Sequence, residues 1–482
     1  MLKIIQCSAD EFINKVEGKK LICFGAGKML DRFENEPFYK CPHVILDNNR
    51  TGERCIDGRA IPIVHPEDMI MTDPDEYALV ITVAGYREII EQMDSLEKYD
   101  GMECYIPYPF FSSGDATKIY RGASGSTPVD DGRRFHICVR HSESYHAGSK
   151  APDDISFVLS EEGIAQFVVH QCDDNLPEEH WSKKRMLDEW NAILNGIPSD
   201  GIVYLQHPFY QKQMKRREAF SRLRDRGVRF VVFVHDYERL RGESCNEFLV
   251  EEERFIFDLA DVLIIHNDRM RSAFVHDGYS EKKLINLELF DYLCNGSEPI
   301  SRCFSKEVVV AGNLSIEKNP HIDQLKNLGN IRFHLFGPNY SDTGGSDNLV
   351  YHGSETPEQL PFVLPNGFGL VWGGDSLATC SGYAGEYLRF NNPHKLSLYL
   401  ASGLPVVVWD ESAMADFVRD NDLGLIVHSL YELSDLLDSV SPEQYMKYEG
   451  NAAKIGDRLR TGYYTKTAVK NAEERLEELY HV

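Results

Sequence analysis

The chain has 482 residues, 42% hydrophobic and 26% charged, which is ordinary for a globular protein and too long for one hydrophobic core. Lys and Arg number 51 against 76 Asp and Glu, a net charge of −25 that argues against non-specific nucleic-acid or anionic-membrane binding. That acidity is read as an aid to solubility, and it leaves room for a local basic pocket.

No run of about 18 apolar residues is present to cross a membrane. The opening Met1-Leu2-Lys3-Ile4-Ile5 runs straight into polar sequence, unlike a signal peptide, so a cytoplasmic protein is expected. The 11 cysteines form no C-x-x-C pair, which suggests neither a zinc site nor a disulfide framework and predicts mostly buried thiols.

Residues 1–111 alternate short apolar strands with helical patterns, which predicts a Rossmann-like domain on a parallel sheet. Its strands are Leu21–Phe24, closed by Gly25-Ala26-Gly27, then Val44–Leu46 ending in Asp47, then Ala78–Thr82. Residues 112–133 are rich in Ser and Gly, lack periodicity and read as a linker. A second α/β series fills 134–300, with strands near 135–139, 166–170, 202–206, 229–234 and 262–265. A third fills 301–482, with strands at 308–310, 331–336, 369–372, 404–409 and 425–427 and a polar helix at 466–480. Two consecutive doubly wound domains place a ligand cleft between them, at the carboxyl ends of their strands.

The segment Asn391-Asn392-Pro393-His394-Lys395 is the most informative. Asn392 suits an N-cap and Pro393 the first helical position, with Leu396, Tyr399 and Leu400 as the apolar stripe. A lysine in the first turn opposes the helix dipole unless an anion sits in front of it. The alternative is an ordinary capped helix with a solvated lysine. A second strand ends in Ala311-Gly312-Asn313, with Lys318 six residues after the glycine. A third ends in Gly373-Gly374-Asp375, where Asp375 suits sugar hydroxyls, a plain glycine turn being the alternative. In the second series, Phe230–Val234 ends in His235-Asp236, a pair suited to general-base work on an acceptor hydroxyl or merely to capping neighbouring backbone. Arg140, His141 and Ser142 follow that domain's first strand at the same rim.

Residues from about 134 onward resemble the bacterial glucosyltransferase 3 family of adhesin glycosylation, related to the galactofuranosyltransferases of polysaccharide assembly. The matching residues include His235-Asp236, Leu259–Ile265, Ala311-Gly312-Asn313, Gly367–Gly373, Asn391–Lys395, Ala401–Val408 and Thr461–Lys466, in the family's order. The resemblance implies an α/β GT-B fold and a UDP-sugar donor held by the C-terminal half. Lys318, Asn391 and Lys395 hold the diphosphate in that reading. Chemistry is inverting and metal-independent, no cofactor is required, and the chain associates with itself. Retaining GT-B enzymes often carry two glutamates eight positions apart; here Glu386 is followed at that spacing by His394, placed near the ribose or phosphate. The uridine is expected near Phe336, Gly337, Pro338 and Asn339, and the acceptor along Arg140–Ser142. Residues 1–111 resemble a Rossmann-like module of sugar-modifying and capsule-assembly proteins.

Two other readings compete. Gly25, Gly27 and Asp47 form an incomplete dinucleotide fingerprint, because Leu30 stands where a third glycine belongs. This leaves an NAD-dependent sugar-nucleotide enzyme or a degenerate docking domain. The chain as a non-catalytic partner of another glycosyltransferase predicts a blocked cleft.

Overall fold

The computed structural model describes residues 2–5, 9–27, 30, 33, 39–56, 58–71, 73–82, 86–105, 132–140, 150–170, 181–209, 214–244, 247–294, 302–341, 344 and 347–480. Three sheets carry the architecture.

The first holds β1 (Lys3–Ile4), β2 (Lys20–Phe24), β3 (Val44–Leu46), β4 (Gly52–Ile56), β5 (Arg59–Val64), β6 (Tyr77–Ile81) and β7 (Glu103–Tyr105), ordered β1-β7-β6-β2-β3-β5-β4. All pairs are parallel except the β4–β5 hairpin. Sequence periodicity captures β2, β3 and β6, whose runs are continuously buried. It misses the hairpin, because β4 is mostly exposed and its Gly-Glu-Arg-Cys lacks an apolar run.

The second sheet holds β8 (Arg134–Arg140), β9 (Ala165–His170), β10 (Ile202–His207), β11 (Arg229–Val234), β12 (Val262–Ile265) and β13 (Leu284–Asn286), ordered β13-β12-β11-β10-β8-β9. The third holds β14 (Val308–Ala311), β15 (Phe333–Phe336), β16 (Leu349–Tyr351), β17 (Phe368–Val371), β18 (Val406–Trp409) and β19 (Gly424–Val427), ordered β16-β15-β14-β17-β18-β19. Every pairing in both is parallel. The expected strands are present, and β13 and β16 are additional edge strands too short to show a pattern.

Strand order reverses direction between β8 and β10 in one domain and between β14 and β17 in the other. Doubly wound sheets open a crevice at such switch points, beyond the carboxyl ends of the strands. Arg140 ends β8, and the Gly312 and Gly373 turns follow β14 and β17.

The two domains are joined by packing as well as by chain. One apolar cluster runs from Tyr204, Phe233 and Phe290 of the second sheet's domain to Val309, Leu396 and Val408 of the third's. The last helix, Tyr463–Tyr480, corrects the expectation of a polar tail within 301–482. It buries Tyr464, Ala468, Val469, Ala472 and Leu476, and it packs on β12, β13 and the helix Lys150–Glu161. Glu473 there bonds to Arg134 at 3.2 Å and Tyr204 at 2.7 Å, and Tyr480 bonds to Asp261. The chain therefore returns to the domain it left at about residue 290.

Of the expected linker, residues 112–131 lie outside the described residues. Of the eight described cysteines, only Cys23, Cys104 and Cys380 are buried, which corrects the expectation of mostly buried thiols. Among the described residues no helix is long and apolar enough to cross a membrane.

Candidate active site

The donor-side crevice is built by glycines that let other groups approach. A Cβ on Gly369 would lie 2.1 Å from the Tyr399 ring, so the bare glycine lets the helix His394–Ala401 settle onto β17. The Tyr399 hydroxyl then accepts the Ala311 N–H at 2.8 Å, one residue before Gly312. This contact ties the helix to the end of β14. Lys395 lies along Gly312, whose φ is +127° and whose added Cβ would meet Lys395 Cε at 2.9 Å. Gly337 abuts the same turn: a Cβ there would sit 1.8 Å from the Gly312 carbonyl oxygen.

Lys395 forms no ion pair among the described residues. Burial holds its pKa below the ordinary lysine range, with the Cys380 thiol nearby pulling the other way. An ammonium kept from water without a carboxylate is unfavourable unless an anionic ligand completes it. The Gly373-Gly374 turn closes the other side of the switch point, and Gly374 (φ +95°) would collide with the Ser381 carbonyl if it bore a Cβ. His321, which sequence inspection passed over, donates from Nδ1 to the Gly374 carbonyl at 2.8 Å. Burial, against that bond and assisted by Lys395, brings the His321 pKa down to about 4.

The remaining donor-side residues are placed less uniformly. Asn391 keeps a buried Oδ1 with no hydrogen-bond partner. Asn313 bonds internally, its Oδ1 accepting from Ser315 N and Asn339 Nδ2 at 3.0 and 3.2 Å. Lys318 is exposed on the turn after β14. Asp375 is exposed and accepts from the Ser381 hydroxyl. Near Gly337, Phe336 is buried, and the exposed aromatic face is His352, stacked on Phe336 at 4.5 Å and 7°.

Asn392 does not cap the helix. Pro393 occupies the N-cap position without a side-chain bond, and the helix begins at His394. Asn392 instead stitches the domains. Its Nδ2 donates to the carbonyls of His266 and Glu288 at 2.8 Å each, and its Oδ1 accepts from Asn267 at 2.6 Å. A buried amide with these partners reads as a structural bridge. His394 also turns to the other domain, stacking on Tyr292 at 5.0 Å with Nε2 3.4 Å from the Asp291 carbonyl. Burial lowers its pKa to about 4, so the ring is neutral.

Across the cleft, His235 and Asp236 follow β11. The Gln206 amide donates to Pro152 O and Ser156 Oγ at 3.0 Å each, which aims its Oε1 at His235 Nε2, 2.7 Å away. Nε2 therefore carries the proton and Nδ1 is the acceptor. The ring stacks on Phe290 at 5.3 Å and 10°, and burial, with His266, His394 and His207 nearby, lowers its pKa to about 3. Burial pushes the Asp236 carboxyl the other way, up to about 6, against the pull of Arg241 at 3.3 Å. A carboxylate at that value is a serviceable base near neutrality, and an imidazole at about 3 a poor one. Arg140 stands at the end of β8, its side chain undescribed, and His141 and Ser142 lie outside the described residues.

The first domain's glycine turn has a different occupant. Asp47, expected at a ribose, accepts the Ala26 N–H through Oδ2 at 2.9 Å and the Asn49 N–H through Oδ1 at 2.9 Å. Gly25 has φ +107°, and Gly27 closes the turn. The Ala26 amide of the turn is thus taken by a carboxylate of the same domain. Asn48 and Gln92 exchange two amide bonds of 2.9 and 2.8 Å, linking the end of β3 to the helix that follows β6.

The family models for the glucosyltransferase 3-like N-terminal and C-terminal domains match residues 134–289 and 308–472. β-1,6-Galactofuranosyltransferase WbbI of Escherichia coli K12 is 37% identical over 295 residues, covering 60% of this chain and 83% of that one. The chain belongs to the glucosyltransferase 3-like family. It is accordingly a glycosyltransferase, and its two facing doubly wound domains form the GT-B fold. Glucosyltransferase 3 of Streptococcus gordonii is 25% identical over 293 residues, 60% of this chain and 84% of its own. Among solved structures, Anabaena HepE in complex with UDP and glucose is similar at TM-score 0.45 and 13% identity, covering 72% of this chain and 99% of that one. Residues 1–133 lie outside both family matches.

Proposed function

We propose that this transferase moves galactofuranose from UDP-galactofuranose to a glycan or glycopeptide acceptor, metal-independently and with inversion. The higher identity to the galactofuranosyltransferase, 37% against 25%, favours that sugar, with glucose from UDP-glucose second. The observation that carries the donor reading is Lys395, half-buried at the switch point beside bare Gly312, with no ion pair among the described residues. In this reading the diphosphate takes the counter-ion position, with Asn391 Oδ1 bonding a donor hydroxyl, Lys318 swinging in from its exposed turn and the uracil stacking on His352. The acceptor oxygen attacks the anomeric carbon, Asp236 takes its proton, and the carbon–oxygen bond to UDP breaks toward Lys395. Asp236 acts in a single displacement, and the cleft excludes water that would hydrolyse the donor.

The test is calorimetry with UDP, UDP-galactofuranose, UDP-glucose, GDP-mannose and NAD on the wild type and Lys395→Ala. Removing the lysine that lies deepest against the phosphate is expected to weaken UDP binding by about 100-fold. UDP binding that survives the substitution unchanged sinks the placement, and NMR of the product's anomeric proton decides inversion.

A further inference from the structure

A chain of hydrogen bonds runs along one face of the third sheet and ends at the donor-side rim. Glu307 stands just before β14, at the amino end of that strand, where its carbonyl accepts the Phe368 N–H at 2.9 Å. Its carboxylate Oε2 lies 3.1 Å from His334 Nε2, with Arg332 3.9 Å from Oε1. His334 is inside β15 and buried, and its Nδ1 lies 2.8 Å from Nε2 of His352, the residue after β16. An ionised carboxylate only accepts, so His334 donates from Nε2 and its Nδ1 becomes an acceptor. The hydrogen between the two rings therefore belongs to His352 Nε2, which leaves His352 Nδ1 with a lone pair. That nitrogen has no hydrogen-bond partner among the described residues. Partial burial and the neighbouring His334 lower the His352 pKa, which favours the neutral ring.

The ring is clamped on two sides, by His334 at one edge and by Phe336 against one face, and the residue is otherwise exposed. Its place on the rim is set by backbone bonds. The Gly337 N–H donates to the Gly353 carbonyl at 2.8 Å, and the Gly312 N–H to the Phe336 carbonyl at 2.9 Å. The turns after β16, β15 and β14 thus stand side by side, and His352 is two strand spacings, roughly 10 Å, from the Gly312 turn along which Lys395 lies. A nucleoside diphosphate spans such a gap between its base and its phosphates.

We propose that His352 reads the nucleoside with two parts of one ring: its open face takes the uracil and its Nδ1 accepts a ribose hydroxyl, with Glu307 and His334 as the positioning residues that fix this arrangement. This rests on the reading that the uracil stacks on His352. A base stacked on the ring holds its own N–H groups in a parallel plane, out of line with Nδ1, whereas the ribose hydroxyls project from that plane.

The experiment is calorimetry of UDP, 2′-deoxy-UDP and 3′-deoxy-UDP on the wild type, His352→Phe, His352→Ala and Glu307→Lys, with imidazole nitrogen NMR of histidine-labelled protein and Tm on each. The wild type is expected to bind one of the deoxy analogues about 5–10-fold more weakly than UDP, the effect of one hydrogen bond. His352→Phe keeps a ring on Phe336 without a nitrogen, and it removes that difference. Glu307→Lys sets a donor against His334, which reverses the chain and leaves His352 protonated at Nδ1. The difference then disappears as well, and the nitrogen spectrum records the exchanged tautomer, which a merely loosened fold would not produce. A wild-type His352 protonated at Nδ1 overturns the proposal, as does undiminished discrimination in His352→Phe. If Glu307→Lys does not fold, His352→Phe and the wild-type spectrum decide. UDP affinity unchanged in His352→Ala removes the uracil placement itself, whereas weakened UDP binding there, beside undiminished discrimination in His352→Phe, removes only the ribose contact.

Discussion

At the scale of single residues, charge and burial decide the chemistry. Lys395 has to be protonated to hold a diphosphate, and burial disfavours that form. Binding an anion restores the charged form, so UDP binding takes up protons and weakens as pH rises, beginning below the ordinary lysine range. Calorimetry in buffers of different ionisation enthalpy reads that uptake directly, and an affinity flat from neutral to alkaline pH contradicts it. Asp236 and His235 separate by the same logic. The base has to be deprotonated in the free enzyme, so kcat/KM falls as pH drops through about 6 if Asp236 serves and only near 3 if His235 does. The rate–pH profile of the wild type distinguishes them. The sequence showed both residues, and the Lys395 turn, as short polar motifs after apolar runs. It did not show His321 or Tyr387, whose partners lie 53 and 150 positions away in the chain.

At the scale of elements, a glycine can matter more than the motif beside it. Gly369 sits inside β17, where nothing in the sequence distinguishes it from a strand-weakening accident, yet the Tyr399 ring occupies the space a Cβ needs. Gly369→Ala is expected to cost about 1–3 kcal/mol, as overpacking does, and to reduce UDP affinity because the helix bearing Lys395 shifts off β14. Chemical denaturation and calorimetry on the same protein test both parts. The N-terminal module gives the opposite lesson. Its glycine turn and its Asp47 at the right spacing read as a partial dinucleotide fingerprint, but the carboxylate folds back onto the Ala26 amide. NAD is accordingly expected not to raise the unfolding midpoint, since only ligands of the native state do so. A rise of several degrees that is lost in Asp47→Ala would reverse that conclusion.

At the scale of the molecule, the last helix closes the cleft's architecture. Asp291, at the crossing between domains, accepts the Tyr464 and Thr465 N–H groups at 3.2 and 2.7 Å, which caps the helix as it returns to the first wall. Burial holds the Asp291 carboxyl up at about 6, so part of the cap's benefit offsets the cost of hiding the charge. Asp291→Ala leaves two buried donors unpaired and is expected to cost roughly 2 kcal/mol, lowering Tm and loosening the two domains together. A separate early transition for the C-terminal helix would show instead that the helix is an independent appendage.

Local patterning was enough to read three successive α/β series, most of their buried strands, and the glycine and lysine turns at strand ends. Continuous apolar runs and turn residues are local signals, and parallel strands buried on both faces are rich in them. The exposed hairpin β4–β5 and the short edge strands escaped because they bury little. Only the tertiary structure decided that Asn392 is a bridge between domains, that Asp47 bonds the Ala26 amide of its own glycine turn, that Tyr387 belongs to the opposite core, and that the final helix packs on the domain before last. Each of these is a contact between groups distant in the chain. Its energy depends on which partner is presented within hydrogen-bonding distance, a fact that no stretch of residues carries by itself.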